Sequence, residues 1–434
     1  MKNNAINIGV IGFGTVGAGT VKILLRKRTE LEEKLGFPVV LKRIADLDTK
    51  TDRGIKLPKG VLINDPDTIL NDPEIDIVVE LIGGTRAAGE ITLKAIRNGK
   101  HVVTANKALL AEKGREIFSA AEKNNVTVGF EASVAGSIPI IKIIRESLIG
   151  NSINKIYGII NGTANYILTK MTEEGAEFSD VLKEAQDLGY AEADPTFDIE
   201  GIDSAHKLTL LASLAFGIPL SFDKVYTEGI TGITPLDIQF ASEFGYKIKL
   251  LAITKRDGNE VEIRVHPTMI PKGNLISGVN GVFNAVYVNG DAIGDGLYYG
   301  RGAGEMPTGS AVVSDIIDIA RAIRSGGKTP GSGIHEKSGL KIRKMEDIRT
   351  SYYLRFSASD KPGVLSKISG ILGSHNISIE SMIQKGRETR KAVPVVMMTH
   401  EAREKDIVMA LKEIDRLSAV SGKTMYLRVE GSET

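Results

Sequence analysis

Between Tyr190 and Lys207 the chain reads YAEADPTFDIEGIDSAHK, with Glu192, Asp194, Asp198, Glu200 and Asp203 ahead of a single lysine, Lys207. This is either a solvated acidic loop that caps a helix, or a pocket for a cationic group in which Lys207 does the work. Asp203 and Lys207 stand at i,i+4 in IDSAHKLTLLASLAFG, which reads as a helix. On a surface such a pair contributes only about 0.2–0.5 kcal/mol. Lys207, however, shares its helical face with Leu210, Leu211 and Leu214. A charge pair continuing an apolar stripe needs partners, because unpaired buried charge is costly. A lysine there loses some preference for its charged form and neighbouring carboxylates restore it. That balance suits proton exchange near neutral pH. The surplus carboxylates would bind a cation, most simply an ammonium. A partly buried structural ion pair is the competing reading. His206 lies about 100° round the helix from Lys207 and reads as structural. The carboxylates could suit a divalent metal, but no clustered histidines support zinc.

A second chemical feature stands near the N-terminus. Gly12-Phe13-Gly14-Thr15-Val16-Gly17 follows the apolar run INIGVI and opens the helical pattern TVGAGTVKILLRK. A G-x-G-x-x-G loop in that context binds a dinucleotide: Gly12 permits the tight turn, and Gly14 lets backbone approach a pyrophosphate at the helix N-terminus. Asp46, in RIADLD, is the candidate for the adenosine ribose, or else a strand-end turn residue. It lies further on than the usual spacing of about 20 residues, and a first helix extended through RKRTELEEKLGFP accounts for the excess. Asp46 would favour NAD by repelling a 2′-phosphate, whereas Arg43 nearby could accommodate one. Gly83-Gly84-Thr85 and Thr104-Ala105-Asn106-Lys107 end two further apolar runs. Ligands of open parallel sheets bind at such strand ends, so Lys107 is expected to face ligand. Together these features imply an amino-acid-like substrate beside a nicotinamide.

The elements that must hold these residues follow from periodicity. Through about residue 130, short apolar runs (INIGVIGFG, VVLKRIAD, DIVVELIGG, HVVTANK, VTVGFE) alternate with helical segments, which argues for βαβ units and a parallel sheet. From Ser137 the pattern becomes mixed α+β: a long apolar helix IPIIKIIRESL, a strand INKIYGIINGT, and hairpins turning at Asp257-Gly258 and Asn289-Gly290. A helix over Gly309–Ile323 and a Gly/Ser/Lys/Pro-rich linker follow. The tail spells strand, helix, strand, strand, helix, strand, a small ferredoxin-like βαββαβ domain. The expected blocks are 1–136, a Rossmann-like nucleotide domain; 137–308, a mixed catalytic and oligomerisation domain; 326–350, linker; and 351–434, the tail domain. The whole is an α/β protein.

Bulk numbers exclude several classes. The 434 residues carry a net charge of +1, so neither nucleic acid nor an anionic membrane is an expected partner. With 42% hydrophobic and 25% charged residues the chain reads as globular. The apolar run near LLASLAFGIPL is too short to span a bilayer, and no secretory signal is visible after MKNNA. A cytoplasmic protein is expected. There are 0 cysteines, so disulfides, thiolate metal sites and a thiol nucleophile are ruled out.

These segments resemble the homoserine dehydrogenase family. The resemblance rests on VIGFGTVG, VVTANKALL, FEASVAGSIPII, NGTANYIL, GYAEADPTFDIEGIDSAHKL and YYGRGAGEMPTGSAVVSDI. KPGVLSKISGILGSHNISIESMIQKG resembles an ACT regulatory domain. The resemblance implies reversible reduction of aspartate β-semialdehyde to homoserine by NADH or NADPH, on the route to threonine, methionine and isoleucine. It gives Lys207 the role of proton donor and Lys107 that of a second active-site lysine near nicotinamide and substrate. Glu192, Asp198 and Asp203 bind the amino end of the substrate or hold the lysine. Glu131, Val134, Gly136 and Ile138 bind a monovalent cation such as sodium, largely through carbonyls. Gly304 contacts the cofactor, and the helix Gly309–Ile323 packs back on the nucleotide domain. In the tail, Asp360, Gly363, Val364, Leu365 and Asn376 are implied to bind an amino-acid effector, threonine, as feedback inhibitor; alternatively the tail only assembles subunits. A dimer or tetramer is implied. Removal of residues after about Ser351 is expected to leave activity and abolish threonine sensitivity.

The residues agree on one independent point. Reduction of a free aldehyde takes a hydride and one proton, so it needs no covalent nucleophile. Two other readings compete: an NAD-dependent reductase of another amino-acid semialdehyde or hydroxy acid, and a non-catalytic nucleotide-bound amino-acid sensor. A sensor need keep neither Lys107 nor Lys207.

Overall fold

The computed structural model describes residues 5–327, 334, 336, 339–384 and 392–431. Packing divides the chain into two compact units. Met1–Gly162, Asp203–Val225 and Val282–Leu340 form the first; Thr163–Ile202, Tyr226–Gly281 and Lys341–Thr434 form the second. This grouping differs from the consecutive blocks suggested by composition, because Asp203–Val225 joins the nucleotide-binding half and Tyr226–Gly281 joins the tail.

The first unit is built on a parallel sheet of β1 (Ile6–Ile11), β2 (Val39–Ala45), β3 (Leu62–Ile63), β4 (Ile77–Glu80), β5 (His101–Thr104) and β6 (Val128–Gly129), in the order β3-β2-β1-β4-β5-β6. Unbroken apolar runs suit strands covered on both faces; Ile8, Val10, Ile77 and Val79 are fully buried. The strand order reverses between β1 and β4, which opens a crevice at their carboxyl ends. The first helix does not run on as expected. It ends at Arg26, and Arg28–Leu35 forms a separate helix with no buried residue, since RTELEEKL has no apolar stripe to dock. The helix Glu305–Ser325 packs on Thr15–Arg26 through two glycines: a Cβ on Gly19 would lie 2.0 Å from the Glu305 carbonyl oxygen, and one on Gly309 would lie 2.7 Å from Gly19 backbone.

The remaining strands are β7 (Ile153–Ile159), β8 (Tyr226–Thr227), β9 (Tyr246–Asp257), β10 (Glu260–Pro271), β11 (Phe283–Gly290), β12 (Gly294–Arg301), β13 (Lys341–Ile342), β14 (Arg349–Ser359), β15 (Ile379–Gln384), β16 (Ala392–Thr399), β17 (Ala402–Arg403) and β18 (Met425–Val429). In the first unit β7, β11 and β12 pair antiparallel. Their hairpin turns later than predicted. Asn289 and Gly290 pair with Asp295 and Gly294, and Asp291, Ala292 and Ile293 make the turn. Contacts remote in sequence fix it: Asp291 accepts from Ser152 N at 2.9 Å, and Asn151 accepts from Ile293 N at 2.8 Å. The apolar segment after Ser137 forms one α-turn, Ile140–Lys142, then a π-turn, Ile143–Ser147, rather than a long regular helix.

In the second unit the strands run β9-β10-β18-β14-β16-β15. The tail part is the predicted βαββαβ layout, with helices Val364–Ser374 and Glu404–Ile414 over a core of Tyr352, Leu354, Phe356, Ile368, Leu372 and Ile407. The free side of β10 is covered in turn by β13, β8 and β18, each parallel to it. Lys341–Ile342 and the start of β14 therefore lie in strands within the predicted linker; its residues 328–333, 335, 337 and 338 lie outside the described residues. Among the described residues no helix is long and apolar enough to cross a membrane.

Where β10 meets β18, two arginines are completely buried. Arg428 makes a bidentate pair with Glu404 (2.9 and 2.6 Å) and reaches Glu228 at 2.8 Å. Arg264 binds Glu262 (3.2 and 3.1 Å), Glu430 and the His266 ring. Removing the tail after Ser351 would therefore uncover the edge of β10 and leave Arg264 without Glu430. That truncation removes part of the core together with the tail.

Candidate active site

The helix Ile202–Phe216 is buried nearly all round, beyond the single stripe that its leucines suggest; only Leu214 and Ala215 within Asp203–Phe216 are partly exposed apart from its ends. Lys207 is 9% exposed and Asp203 6%. Lys207 Nζ lies 2.6 Å from Asp203 Oδ2 and 2.7 Å from the Ile160 carbonyl. The second oxygen of Asp203 lies 3.1 Å from Lys107 Nζ, whose side chain is 40% exposed. Asn161 Nδ2 adds a hydrogen bond to Asp203 Oδ2 at 2.9 Å. Burial alone would raise the Asp203 carboxyl; the charges of Lys207 and Lys107 and the hydrogen bonds from Lys207 and Asn161 outweigh it and hold the group well below the usual carboxylate range. One ionised carboxylate thus serves two ammonium groups, one enclosed and one open. This is not the i,i+4 surface pair of the bland reading. His206 stacks on Phe222 at 4.2 Å, and burial lowers its pKa.

Each element brings its group for a local reason. β7 ends at Ile159, and the turn after it presents the Ile160 carbonyl and Asn161. β5 ends at Thr104, and Asn106 caps the helix Lys107–Lys123 by accepting from Leu109 N at 3.0 Å, which puts Lys107 at the first helical position.

The glycine loop has the geometry that a pyrophosphate requires. Gly12 has φ +102°, and a Cβ there would sit 2.6 Å from Leu81 backbone. A Cβ on Gly17 would meet the Gly12 carbonyl at 2.1 Å, so helix and strand touch there. A Cβ on Gly14 would meet nothing within 4 Å, and Gly14 begins the helix with no side-chain cap. Thr15 is exposed and Val16 half-buried beside it, and Phe13 is buried. The first-turn N–H groups are thus available to an anion. Asp46 accepts from Phe13 N and from Asp48 N (2.8 Å) at the end of β2. Arg43 turns to the backbone carbonyls of Lys42 and Gly60. The arginine beside Asp46 is instead Arg53, 4.0 Å away and 4.8 Å above the Phe13 ring. Gly84, with φ +80°, and Thr85 form the loop after β4. Gly304, with φ +124°, precedes the helix Glu305–Ser325 that crosses the first helix.

The other carboxylates of the opening stretch divide. Asp194 accepts from Thr196 N and Oγ1 (3.1 and 2.6 Å), closing a local turn. Glu200 accepts from Thr231 at 3.3 Å. Glu192 is exposed in a loop, and Asp198 is half-buried in the short helix Thr196–Ile199 that precedes the lysine helix. In the predicted cation loop, Ala135 and Gly136 are consecutive left-handed residues with φ 55° each. Val134 and Ile138 are buried. Both carboxylate oxygens of Glu131 accept backbone N–H groups, from Ile141 and Lys142 (2.8 and 3.0 Å), and burial plus the nearby Asp315 push its pKa up to about 7. Among the described residues no cluster of three or more His, Cys, Asp or Glu could hold a metal ion.

In the tail, Asp360, Gly363 (φ +85°), Val364 and Leu365 lie at the N-terminal end of the helix Val364–Ser374, and Asn376 (φ +57°) lies past its C-terminal end. Eleven helical residues separate Gly363 from Asn376, about 16 Å. A single tail does not bring them together.

Sequence reading missed Asn161, the Ile160 carbonyl, Arg53 and Glu80. Glu80 is a carboxyl inside the apolar run DIVVELIGG and is fully buried. A charge interrupting a buried strand was the available signal.

Residues 12–131 match the family profile for the homoserine dehydrogenase NAD-binding domain, 139–317 that for homoserine dehydrogenase, and 352–419 that for the ACT domain. The chain is 50% identical over 432 residues to homoserine dehydrogenase of Pseudomonas aeruginosa, covering 98% of this chain and 99% of the relative. It is 49% identical over 429 residues to that of Neisseria gonorrhoeae, covering 98% of each. The crystal structure of a homoserine dehydrogenase from Thiobacillus denitrificans superposes with TM-score 0.93 at 49% identity over 98% of both chains. A hyperthermophilic archaeal homoserine dehydrogenase in complex with NADPH gives TM-score 0.63 at 28% identity, over 73% of this chain and 98% of that one. With its glycine loop, its paired lysines and its matches along nearly the whole length, this chain belongs to the homoserine dehydrogenase family, an NAD(P)-dependent oxidoreductase family, and carries a C-terminal ACT domain.

Proposed function

We propose that this protein catalyses the reversible reduction of L-aspartate 4-semialdehyde to L-homoserine. The observation that carries the reading is the Asp203 carboxylate bound between Lys207 and Lys107. When bound, the nicotinamide supplies the hydride or takes it back. Lys207 gives the accompanying proton to the carbonyl oxygen, and recovers it in the reverse direction. Asp203 and the Ile160 carbonyl fix the direction of its ammonium. Lys107, partly open to solvent, binds at the nicotinamide and substrate side. Glu192 and Asp198 hold the substrate ammonium. Gly12 to Gly17, Gly84, Thr85 and Gly304 line the dinucleotide, and Asp46 holds its adenosine ribose. Arg53, next to Asp46, supplies a cation for a 2′-phosphate, so NADP is used as well as NAD.

A monovalent cation at Glu131, Val134, Gly136 and Ile138 fits a donor set of neutral carbonyls around the paired left-handed turn. Threonine inhibits through the ACT domain, with Asp360 to Leu365 of one tail and Asn376 of another forming the effector site. That arrangement requires a dimer or tetramer. Dissolved cofactors and small amino acids fit a cytoplasmic enzyme.

Initial rates of homoserine oxidation with NAD and with NADP, with and without millimolar threonine, test the reading. Lys207→Ala is expected to bind cofactor normally and to lose most turnover. Unchanged turnover would dismiss the assignment, and indifference to threonine would dismiss the regulatory half.

A further inference from the structure

Glu80 ends β4 at the point where the sheet order reverses. It is paired with Ile11, whose strand runs into the glycine loop, and with Thr104, whose strand runs into Lys107. The residue is 0% exposed, and burial pushes its carboxyl up to about 7 against hydrogen bonds from Thr104 and Ile82. A buried carboxyl at the ligand end of an apolar strand is unfavourable unless its oxygens are satisfied, and here both are. Oε1 accepts from Ile82 N at 2.9 Å, and Oε2 from the Thr104 hydroxyl at 2.6 Å. That hydroxyl in turn accepts from Asn106 N at 3.0 Å. Asn106 donates its side-chain amide to the carbonyls of Gly84 (2.7 Å) and Ile82 (3.4 Å) and caps the helix that begins with Lys107. The chain of bonds is directional. An acceptor at position 80 makes Thr104 point its proton at Glu80 and a lone pair at Asn106.

We propose that Glu80 is a positioning residue for hydride transfer: through the Thr104 hydroxyl and Asn106 it fixes both the Ile82–Thr85 loop at the cofactor crevice and the first turn of the helix that carries Lys107. The proposal deepens the dehydrogenase reading and rests on it. Glu80 itself acts at one remove from the reacting atoms. Because Lys107 shares Asp203 with Lys207, a shift of that helix start is transmitted to the proton donor. Misplacement on the ångström scale costs about 10²-fold in rate.

The test compares Glu80→Gln, Thr104→Val and Thr104→Ser with wild type. Glu80→Gln places a donor where an acceptor is required. Thr104→Val removes the hydroxyl, and Thr104→Ser restores it. Expected for Glu80→Gln and Thr104→Val is a fall of about 10²-fold in kcat, with KM for homoserine changed far less. NADH affinity by fluorescence titration should weaken, and amide hydrogen exchange should accelerate in peptides spanning 82–88 and 106–110. Thr104→Ser should stay near wild type in all three. Equal behaviour of the Val and Ser variants, or unchanged exchange and NADH binding in Glu80→Gln, overturns the proposal. Should Glu80→Gln fail to fold, the Thr104 pair decides alone. Binding and exchange are read without turnover, so their failure is separable from failure of the dehydrogenase reading, which would show as a wild-type enzyme inert towards homoserine.

Discussion

The buried arginine cluster where β10 meets β18 and the buried lysine cluster around Asp203 are built on different plans. Around Arg264 and Arg428 each guanidinium is met by a carboxylate in fork geometry or by several acceptors, and both arginines are wholly enclosed. Around Asp203 one carboxylate is shared by two ammonium groups, and one of these, Lys107, remains 40% exposed. The first plan joins β10 to the tail. The second leaves cationic character at the candidate site, where Lys107 is partly open. Enclosed guanidinium pairing fits a structural cluster, and a carboxylate between one enclosed and one open lysine fits a candidate site.

Substitutions at the two clusters should therefore fail in different currencies. Lys207→Met should lower kcat by about 10²–10⁴-fold, the usual worth of a general acid, while the midpoint of thermal unfolding changes little; steady-state rates beside a melting curve check both. Arg264→Met should do the reverse. It takes the buried guanidinium from Glu430 and Glu262, leaving Lys255 on the first and Arg343 on the second; breaking such a buried pair costs up to about 3–5 kcal/mol, and denaturant unfolding would read the loss while kcat per folded enzyme holds. If Arg264→Met instead abolished turnover without loss of stability, the contrast between the clusters would collapse.

A smaller effect is expected at the rim of the arginine cluster. Arg428 reaches Glu228, and the neighbouring Ile230 N donates to the Ile199 carbonyl at 2.8 Å, beside Glu200 in the acidic stretch. This connection joins a tail strand to the loop that leads into the lysine helix. Glu228→Gln should weaken threonine inhibition by about 5-fold, the lower end of typical coupling, with basal rates retained. Inhibition curves for the variant and wild type that superimpose would remove this connection from the regulatory account.

The smallest effects concern acid and are opposite in sign. Burial alone would raise Glu430, but Arg264 and Lys255 outweigh it and hold the carboxyl at about 2, against 4.5 when unfolded. Its contribution to stability is present above about 4.5 and is lost as pH falls towards 2. Glu80 is shifted upward to about 7. Its contribution is present below about 4.5 and is lost as pH rises through 7. Unfolding free energy measured against pH should flatten on the acid side for Glu430→Gln and between about 5 and 7 for Glu80→Gln. Flattening in the same range for both would contradict these environments.

Much of the candidate site's geometry was legible in local spacing. Asp203 and Lys207 at i,i+4 ahead of a leucine stripe implied an inward charge pair, and Gly12, Gly14 and Gly17 between strand and helix implied a dinucleotide loop. What remained hidden depends on segments far apart in the chain. That Lys107 shares Asp203, and that Arg53 rather than Arg43 flanks Asp46, follow from how strand ends and loops converge. Arg264 in VEIRVHP and Arg428 in YLRV look like ordinary polar alternation on a half-exposed strand, until β8 and β18 pack alongside β10. The same cause moved a turn: Asn289-Gly290 has the local chemistry of a hairpin loop, but Asn151 and Ser152 grip the residues just beyond it.

The parallel pairing of β18 with β10 has a consequence for biogenesis. Met425–Val429 leaves the ribosome well after β10, yet Arg264 finds Glu430 only once that later segment arrives. Until then a growing chain holds an arginine that has Glu262 but lacks its second carboxylate, beside an open strand edge, the combination that holdase chaperones protect and proteases exploit. A nonsense mutation just ahead of Met425 is expected to yield a polypeptide that is degraded rather than a deregulated enzyme.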